Sequence, residues 1–305
     1  MNLPAPGSVA ADRLARSVVR SVALVAAGAL FFQSQAPQNP ASAELVFLSS
    51  GQGDATLFRL PRFSVLVDCG PRNESLDFGE RLIAPQLYDL GVRRLDMIMV
   101  THPDGDHIGG LGSLWRRFRP RYFVMPLEFK DDSVTLEHLA RAGIRPHQVQ
   151  WVRESRQMDI GGFRIHLDCL PPGTAATTNE GSLVVKIEGA QGSALLMGDA
   201  TVKTEAEMAR RNRDWRAEIL KVGHHGSRSS TSSEWLRQVQ PREGIISCGR
   251  NNPYGHPHRE VLDRLDEAGV TTRRTGRNLA LIYRYGPTGF QLWKSEIRSR
   301  AFSSR

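Results

Sequence analysis

Residues 97–110 read "MIMVTHPDGDHIGG": an apolar run long enough for one buried strand, then two histidines and two aspartates close together, then paired glycines. A solvated turn needs one Asp or Asn to bond its own backbone. Here Asp104 and Asp106 stand two apart between His102 and His107, and like charges that close repel unless something positive lies between them. A divalent cation satisfies all four side chains, and its remaining ligands must come from elsewhere in the chain.

Outward from this loop, short apolar runs alternate with turn residues. Upstream, "ELVFLSS", "ATLFRL" and "FSVLVDCG" read as strands joined by "GQGD" and a "PR" turn. Leu76 to Leu90 carries apolar positions at helical spacing and stops at Gly91. Downstream, "GGLGSLWRRF" predicts a helix, "YFVMP" a strand, and "SVTLEHLARAG" a helix capped by Asp132 or Ser133. The second half repeats this grammar: strands at "FRIHLDCL", "SLVVKIEG" and "SALLMGD", a helix at "VKTEAEMARRN", and a strand in "AEILKVGHHGS" that runs into a second histidine loop. "SSEWLRQV", "GIISCG", "HREVLDRLDEAG" and "NLALIYRY" continue the alternation. Two halves of strands followed by helices predict an α/β (α+β) sandwich of two sheets covered by helices.

The chain is 305 residues long and 40% hydrophobic, ample for a globular core. Its net charge of +8 favours a polyanionic partner, although arginine far outnumbers lysine throughout and no single stretch concentrates the charge. Cys69, Cys169 and Cys248 are far apart, show no Cys-x-x-Cys spacing, and each lies in or beside an apolar run, which reads as buried free thiols. At the amino terminus three arginines precede an apolar stretch from Ser21 to Phe32, and "NPASAE" offers small residues at Ala41 and Ala43. That pattern reads as a secretory signal or, alternatively, as a short uncleaved membrane anchor. The expected division is residues 1–43 as this segment plus a spacer, 44–293 as one catalytic domain, and 294–305 as a solvated tail. Export to the periplasm or exterior, with or without tethering to the cytoplasmic membrane, follows.

Four features are expected to converge: "THPDGDH"; "LLMGDA", with Asp199 at a strand end; "VGHHGS", with His224 and His225; and "NNPYGHPH", with His256 and His258. His138 and His147 read as surface residues, and His166 as the polar face of an alternating strand.

His-x-Asp-x-Asp-His resembles the His-x-His-x-Asp-His signature of the metallo-β-lactamase superfamily, with Asp104 where the second histidine usually stands. More closely, "GQGDA", "LVDCG", "THPDGDHIGG", "LLMGDA", "LKVGHHGSRSSTS" and "NNPYGHPH" resemble, in order, the extracytoplasmic hydrolase domain of the ComEC family of DNA-uptake proteins. The resemblance implies a four-layer αββα sandwich and a site for two divalent cations, Zn²⁺ or Mn²⁺. It implies His102 and Asp104 on one metal, Asp106 and His107 on the other, Asp199 bridging, and His225 and His256 as the remaining ligands. His224 is left for transition-state contacts or proton delivery, and spacing alone does not separate it from His225. Gln52 and Asp54 are expected near the metals and Asp68 behind a ligand histidine. Asn179 and Ser182 match a family Asn-x-x-Ser-Leu block where other superfamily members carry a histidine ligand.

The implied chemistry is attack of a water shared by two cations on DNA or another phosphodiester, with Asp106 and His224 closest to the reaction and no nucleotide cofactor. A choline phosphodiester or a lactone are alternative esters. A DNA-binding accessory subunit partnering a membrane channel of DNA uptake is the reading from a different class. "SSGQGD" stands where relatives read "DVGQGD", and Cys69 takes a position usually held by a small or hydroxyl residue. No stretch here reads as the family's multi-spanning channel, so this polypeptide alone is not expected to import DNA.

Overall fold

The computed structural model describes residues 43–278 and 280–295. The proposed signal or anchor segment and most of the expected tail lie outside them. No helix of the described residues is long and apolar enough to cross a membrane.

Among the described residues fifteen strands form two mixed sheets. The first contains β1 (Glu44–Phe47), β2 (Thr56–Leu60), β3 (Phe63–Val67), β4 (Met97–Met99), β5 (Tyr122–Pro126), β6 (Val149–Val152), β14 (Leu281–Gly286) and β15 (Gly289–Lys294), in the order β15-β14-β1-β2-β3-β4-β5-β6. The second contains β7 (Ser155–Ile160), β8 (Phe163–Asp168), β9 (Val184–Gly189), β10 (Gly192–Leu196), β11 (Ile219–Lys221), β12 (Glu243–Ile246) and β13 (Thr271–Arg274), in the order β13-β12-β11-β10-β9-β8-β7. Each sheet is antiparallel in one part and parallel in the other, the parallel pairs being β3/β4/β5/β6 and β10/β11/β12/β13.

Three apolar layers hold four layers of structure together. Alternate residues such as Leu45, Phe47, Val65 and Val67 meet Ile165, Val185, Leu196 and Ile219 between the sheets. Their neighbours Val46, Leu66 and Ile98 face outward onto helical residues such as Leu87, Leu114 and Phe118. On the other side Leu195, Leu220 and Ile246 pack on Trp235, Leu236 and Leu265. This is the αββα sandwich expected from the resemblance. It explains why the central strands read as unbroken apolar runs, since both faces are buried.

Two local outcomes differ from the sequence reading or resolve it. The helix expected from Leu76 begins only at Gly79, as a π-turn (Gly79–Ile83) leading into an α-helix (Ala84–Asp89). Asn73 Oδ1 accepts from the backbone N–H groups of Ser75 and Leu76, and Asp77 Oδ1 from that of Glu80, so side chains hold the preceding turn out of the helix. Of the two candidate caps, Asp132 caps the helix Ser133–Ala142, accepting from Thr135 N–H at 2.7 Å.

Candidate metal centre

The chemistry-bearing residues lie past the carboxyl ends of parallel strands: Asp68 after β3, His102 to His107 after β4, Asp199 after β10, His224 and His225 after β11, and His256 on the long loop after β12. Strand ends at a sheet's carboxyl edge are where α/β folds collect sites. Two glycines permit the close approach. A Cβ on Gly53 of "GQGD" would lie 2.3 Å from the Asp106 carbonyl oxygen, and one on Gly110 would lie 2.2 Å from that of Cys69. The first loop therefore packs directly beneath the turn bearing Asp106 and His107, where Asp54 N–H donates to the Asp106 carbonyl at 3.2 Å.

The arrangement of histidine nitrogens is the decisive geometry. His107 Nδ1 lies 2.9 Å from Asp68 Oδ2, and His225 Nδ1 lies 2.8 Å from the Ser247 carbonyl. His102 Nδ1 lies 3.0 Å from Thr101 Oγ1, whose own proton goes to the Asp68 carboxylate at 3.0–3.1 Å. An acceptor faces each Nδ1, so each Nδ1 carries a proton, and in the neutral ring that a metal ligand requires each Nε2 presents its lone pair. Those lone pairs converge. His107 Nε2 is 3.4 Å from His225 Nε2, and His102 Nε2 is buried without a hydrogen-bond partner.

Asp199, only 3% exposed, enters the same space. Its Oδ1 lies 3.2 Å from His107 Nε2 yet forms no hydrogen bond, and its Oδ2 lies 3.5 Å from His225 Nε2, 3.7 Å from His224 Nε2 and 4.0 Å from His102 Nε2. Donor atoms crowd this closely, with His102 Nε2 and Asp199 Oδ1 buried and unpartnered, in the way that suits a common cation. Among the described residues four overlapping trios of such atoms lie close enough to share one: His102, His107 and Asp199; Asp106, His107 and His225; Asp54, Asp199 and His225; and Asp54, Asp68 and His107.

The remaining expected residues sort by distance. Asp106 Oδ2 is 3.0 Å from His225 Nε2, and Asp104 Oδ2 is 3.5 Å from His102 Nε2; both carboxylates are partly exposed. Of the adjacent histidines, His225 is buried in the cluster. His224 stays at its solvent side, Nδ1 3.1 Å from Ser229 Oγ and Nε2 3.3 Å from Asn179 Nδ2. Both adopt left-handed backbone, φ 47° and 54°. Ser182 Oγ accepts from Asp199 N–H at 3.2 Å, and Gln52 Oε1 accepts from Gly249 N–H at 3.0 Å. His256 belongs to none of these trios; its ring centroid is 6.2 Å from that of His225, and its buried Nδ1 has no partner. His258 is further out, its Nδ1 accepting from Arg228 N–H at 3.1 Å.

The electrostatics follow the geometry. Burial opposes charge on His107, yet the carboxylates of Asp199 and Asp68 raise its pKa well above the usual histidine range. Burial likewise opposes charge on His225, which Asp199 and the bond to Asp106 push up. Burial works to raise Asp106, but the hydrogen bond from His225 and the field of His107 hold it at about 2. Burial also works to raise Asp199, which His225 and His107 bring well below the usual carboxylate range. His256, desolvated and beside His225 and His224, is lowered to about 4.

Several participants were not singled out by sequence. Thr101 ties Asp68 to His102. Lys221 is buried on β11 and pairs with the buried Asp54 at 2.5 Å. Asn252 holds the His256 turn through bonds to Gly249 O, His256 O and His256 N–H. A charged residue inside the apolar run "ILKV" was a readable signal for Lys221; the other two carried none.

Asp68→Asn is expected to preserve the turn, since Asn tolerates the left-handed φ of 62°. It places an amide donor against His107 Nδ1 and is expected to weaken metal binding about 10- to 100-fold. Calorimetric titration with Zn²⁺ or Mn²⁺ checks this, and unchanged affinity would show that Asp68 has no part in orienting His107.

The sequence model of the Metallo-beta-lactamase superfamily matches residues 49–250. "ComE operon protein 3" of Bacillus subtilis is 31% identical over 79% of this chain and 33% of its own length. "Recombination protein 2" of Haemophilus influenzae is 32% identical over 72% of this chain and 26% of its own, and "Competence protein ComA" of Neisseria gonorrhoeae is 27% identical over 90% and 37%. The chain thus spans about a quarter to a little over a third of these relatives. Among solved structures, the diiron β-hydroxylase CmlA of Streptomyces venezuelae superposes with a TM-score of 0.55 at 15% identity, over 81% of this chain and 55% of its own. Tm1679, described as a metal-dependent hydrolase of the β-lactamase superfamily, gives 0.51 at 14%, over 78% and 98%. At these identities the structural likeness concerns the fold alone.

Proposed function

The chain belongs to the metallo-β-lactamase superfamily, and from that premise and its donor set we propose that it is a metal-dependent phosphodiesterase acting on DNA or a related phosphodiester outside the cytoplasm. The carrying observation is the convergence of three Nε2 lone pairs on Asp199. His102, Asp104 and Asp199 would hold one divalent cation, and Asp106, His107 and His225 the second, with Asp199 shared and His256 reaching in from its loop. When bound, such a pair lowers the pKa of a shared water and polarises phosphoryl oxygens. The oxygen-rich first set suits a harder ion such as Mn²⁺ and the nitrogen-rich second suits Zn²⁺.

The protein's own groups do the rest. Asp68 and Ser247 fix the faces that His107 and His225 present, and Thr101 fixes that of His102. His224, partly exposed and anchored through Ser229, is placed to hand a proton to a leaving oxygen. The relatives named as a competence protein and a recombination protein support DNA as the substrate, and the apolar amino-terminal stretch supports export.

The test is metal content together with hydrolysis of bis-p-nitrophenyl phosphate and of single- and double-stranded DNA by the full chain, loaded with Zn²⁺ or Mn²⁺. Turnover dependent on two equivalents of metal is expected. Two bound metals without phosphodiester turnover would move the assignment to another ester, and turnover indifferent to chelation would overturn the metal reading. The net charge of +8 motivates the second reading, a DNA-binding subunit serving a membrane channel. On that reading, DNA affinity survives chelation and falls steeply with salt.

A further inference from the structure

The loop that carries His256 also carries an aromatic ring with no role in the chemistry above. Tyr254 is 63% exposed, and its ring stacks on that of His256, centroids 5.8 Å apart and planes at 25°. His256 in turn stacks towards His225 at 6.2 Å and 24°. A ladder of near-parallel rings therefore runs from solvent to a donor of the cluster. The turn is held in shape by the three hydrogen bonds of Asn252. One face of the tyrosine is occupied by His256, and its exposure leaves most of the ring to solvent, although burial would be worth more to the fold.

Two arginines stand on the segments that adjoin this turn. Arg250 opens the turn, is exposed, and has no ion-pair partner among the described residues. Arg228, whose backbone N–H donates to His258 Nδ1, carries a largely exposed side chain paired only loosely with Glu260 at 3.8 Å. Proteins track single strands by stacking bases on an open aromatic face while cations on adjoining segments meet the phosphates.

We propose that Tyr254 is a stacking platform for an unpaired nucleobase flanking the scissile phosphate, so that the site prefers single-stranded or locally opened nucleic acid over duplex. This deepens, and rests on, the phosphodiesterase reading. Tyr254 stands two ring spacings from His225, so it meets a flanking nucleotide. A small diester such as bis-p-nitrophenyl phosphate does not need it.

The experiment compares kcat/KM on bis-p-nitrophenyl phosphate and on a short single-stranded oligonucleotide for the wild type, Tyr254→Ala and Tyr254→Phe. Tyr254→Ala is expected to lose about ten-fold on the oligonucleotide, chiefly through KM, and little on the small diester, while Tyr254→Phe keeps both. Equal loss on both substrates would mean that the ring only steadies His256, and no loss on either would remove the platform; each result overturns the proposal. A wild type inactive even on the small diester would refute the phosphodiesterase reading instead. In that case Tyr254→Trp still tests the platform through quenching of its fluorescence by the oligonucleotide. Quenching supports it, and an unchanged emission overturns it.

Discussion

Asp199→Asn is expected to leave the protein folded and to lower kcat/KM at least about a thousand-fold, because a shared carboxylate contributes several kcal/mol to holding a two-metal site and each 1.36 kcal/mol is tenfold. Asp199 faces four histidines, with Oδ distances of 3.2 Å to His107, 3.5 Å to His225, 3.7 Å to His224 and 4.0 Å to His102. Asparagine has the same shape, and its backbone N–H can still donate to Ser182 Oγ, so the sandwich has no reason to open. What is lost is the negative charge between the two donor sets. His107→Ala is expected to behave alike, since it removes a buried nitrogen donor of the second set that lies 3.2 Å from Asp199. Steady-state kinetics with metal analysis of each variant decides the matter. Wild-type turnover in either would refute the assignment of this cluster as the reaction centre.

Metal loading is expected to raise Tm by about 10 °C. Ligand at a thousand times its Kd adds about 4 kcal/mol, and each kcal/mol moves a domain of this size by roughly 2–4 °C. The gain should grow between pH 6 and pH 8, and the sign follows from the metal-free chain. His107 and His225 have raised pKa values when folded, so the stability they contribute is complete below the ordinary histidine value and lost as pH rises through the folded values. Asp106 and Asp199 have lowered values, so their contribution is present above the ordinary carboxylate value and lost only in strong acid, for Asp106 near pH 2. Raising the pH thus weakens the metal-free protein while relieving the metal of proton competition. Calorimetric melting of chelated and loaded protein at both pH values tests this, and a gain that shrinks with rising pH would contradict it.

The four strands that the sequence reading did not identify, β6, β7, β13 and β15, are the four edges of the two sheets. Central strands announce themselves because both faces are covered. An edge strand such as "SRQMDI", mostly exposed, or "TTRR", with no residue fully buried, keeps polar residues that discourage pairing with another chain. The site was legible as far as residue type and order allow: His102, His107, Asp199 and His225 all stand at strand ends and meet. The choice between His224 and His225 was not, because left-handed φ at both residues sets which ring turns inward, and no hydrophobic period encodes that. Thr101 was invisible for a related reason, since its value lies in reaching Asp68 and His102 at once, a contact made only by folding.

The buried pair of Lys221 and Asp54 has a consequence for how the cleft fills. Five carboxylates, those of Asp54, Asp68, Asp104, Asp106 and Asp199, lie in or just behind it, and among the described residues Lys221 is the permanent cation paired with them, which leaves four negative charges unmatched. Two divalent ions carry that amount. Without them, protons on His107 and His225 serve as place-holders. A chain that folds before it meets metal closes its core around those protons and trades them for cations afterwards.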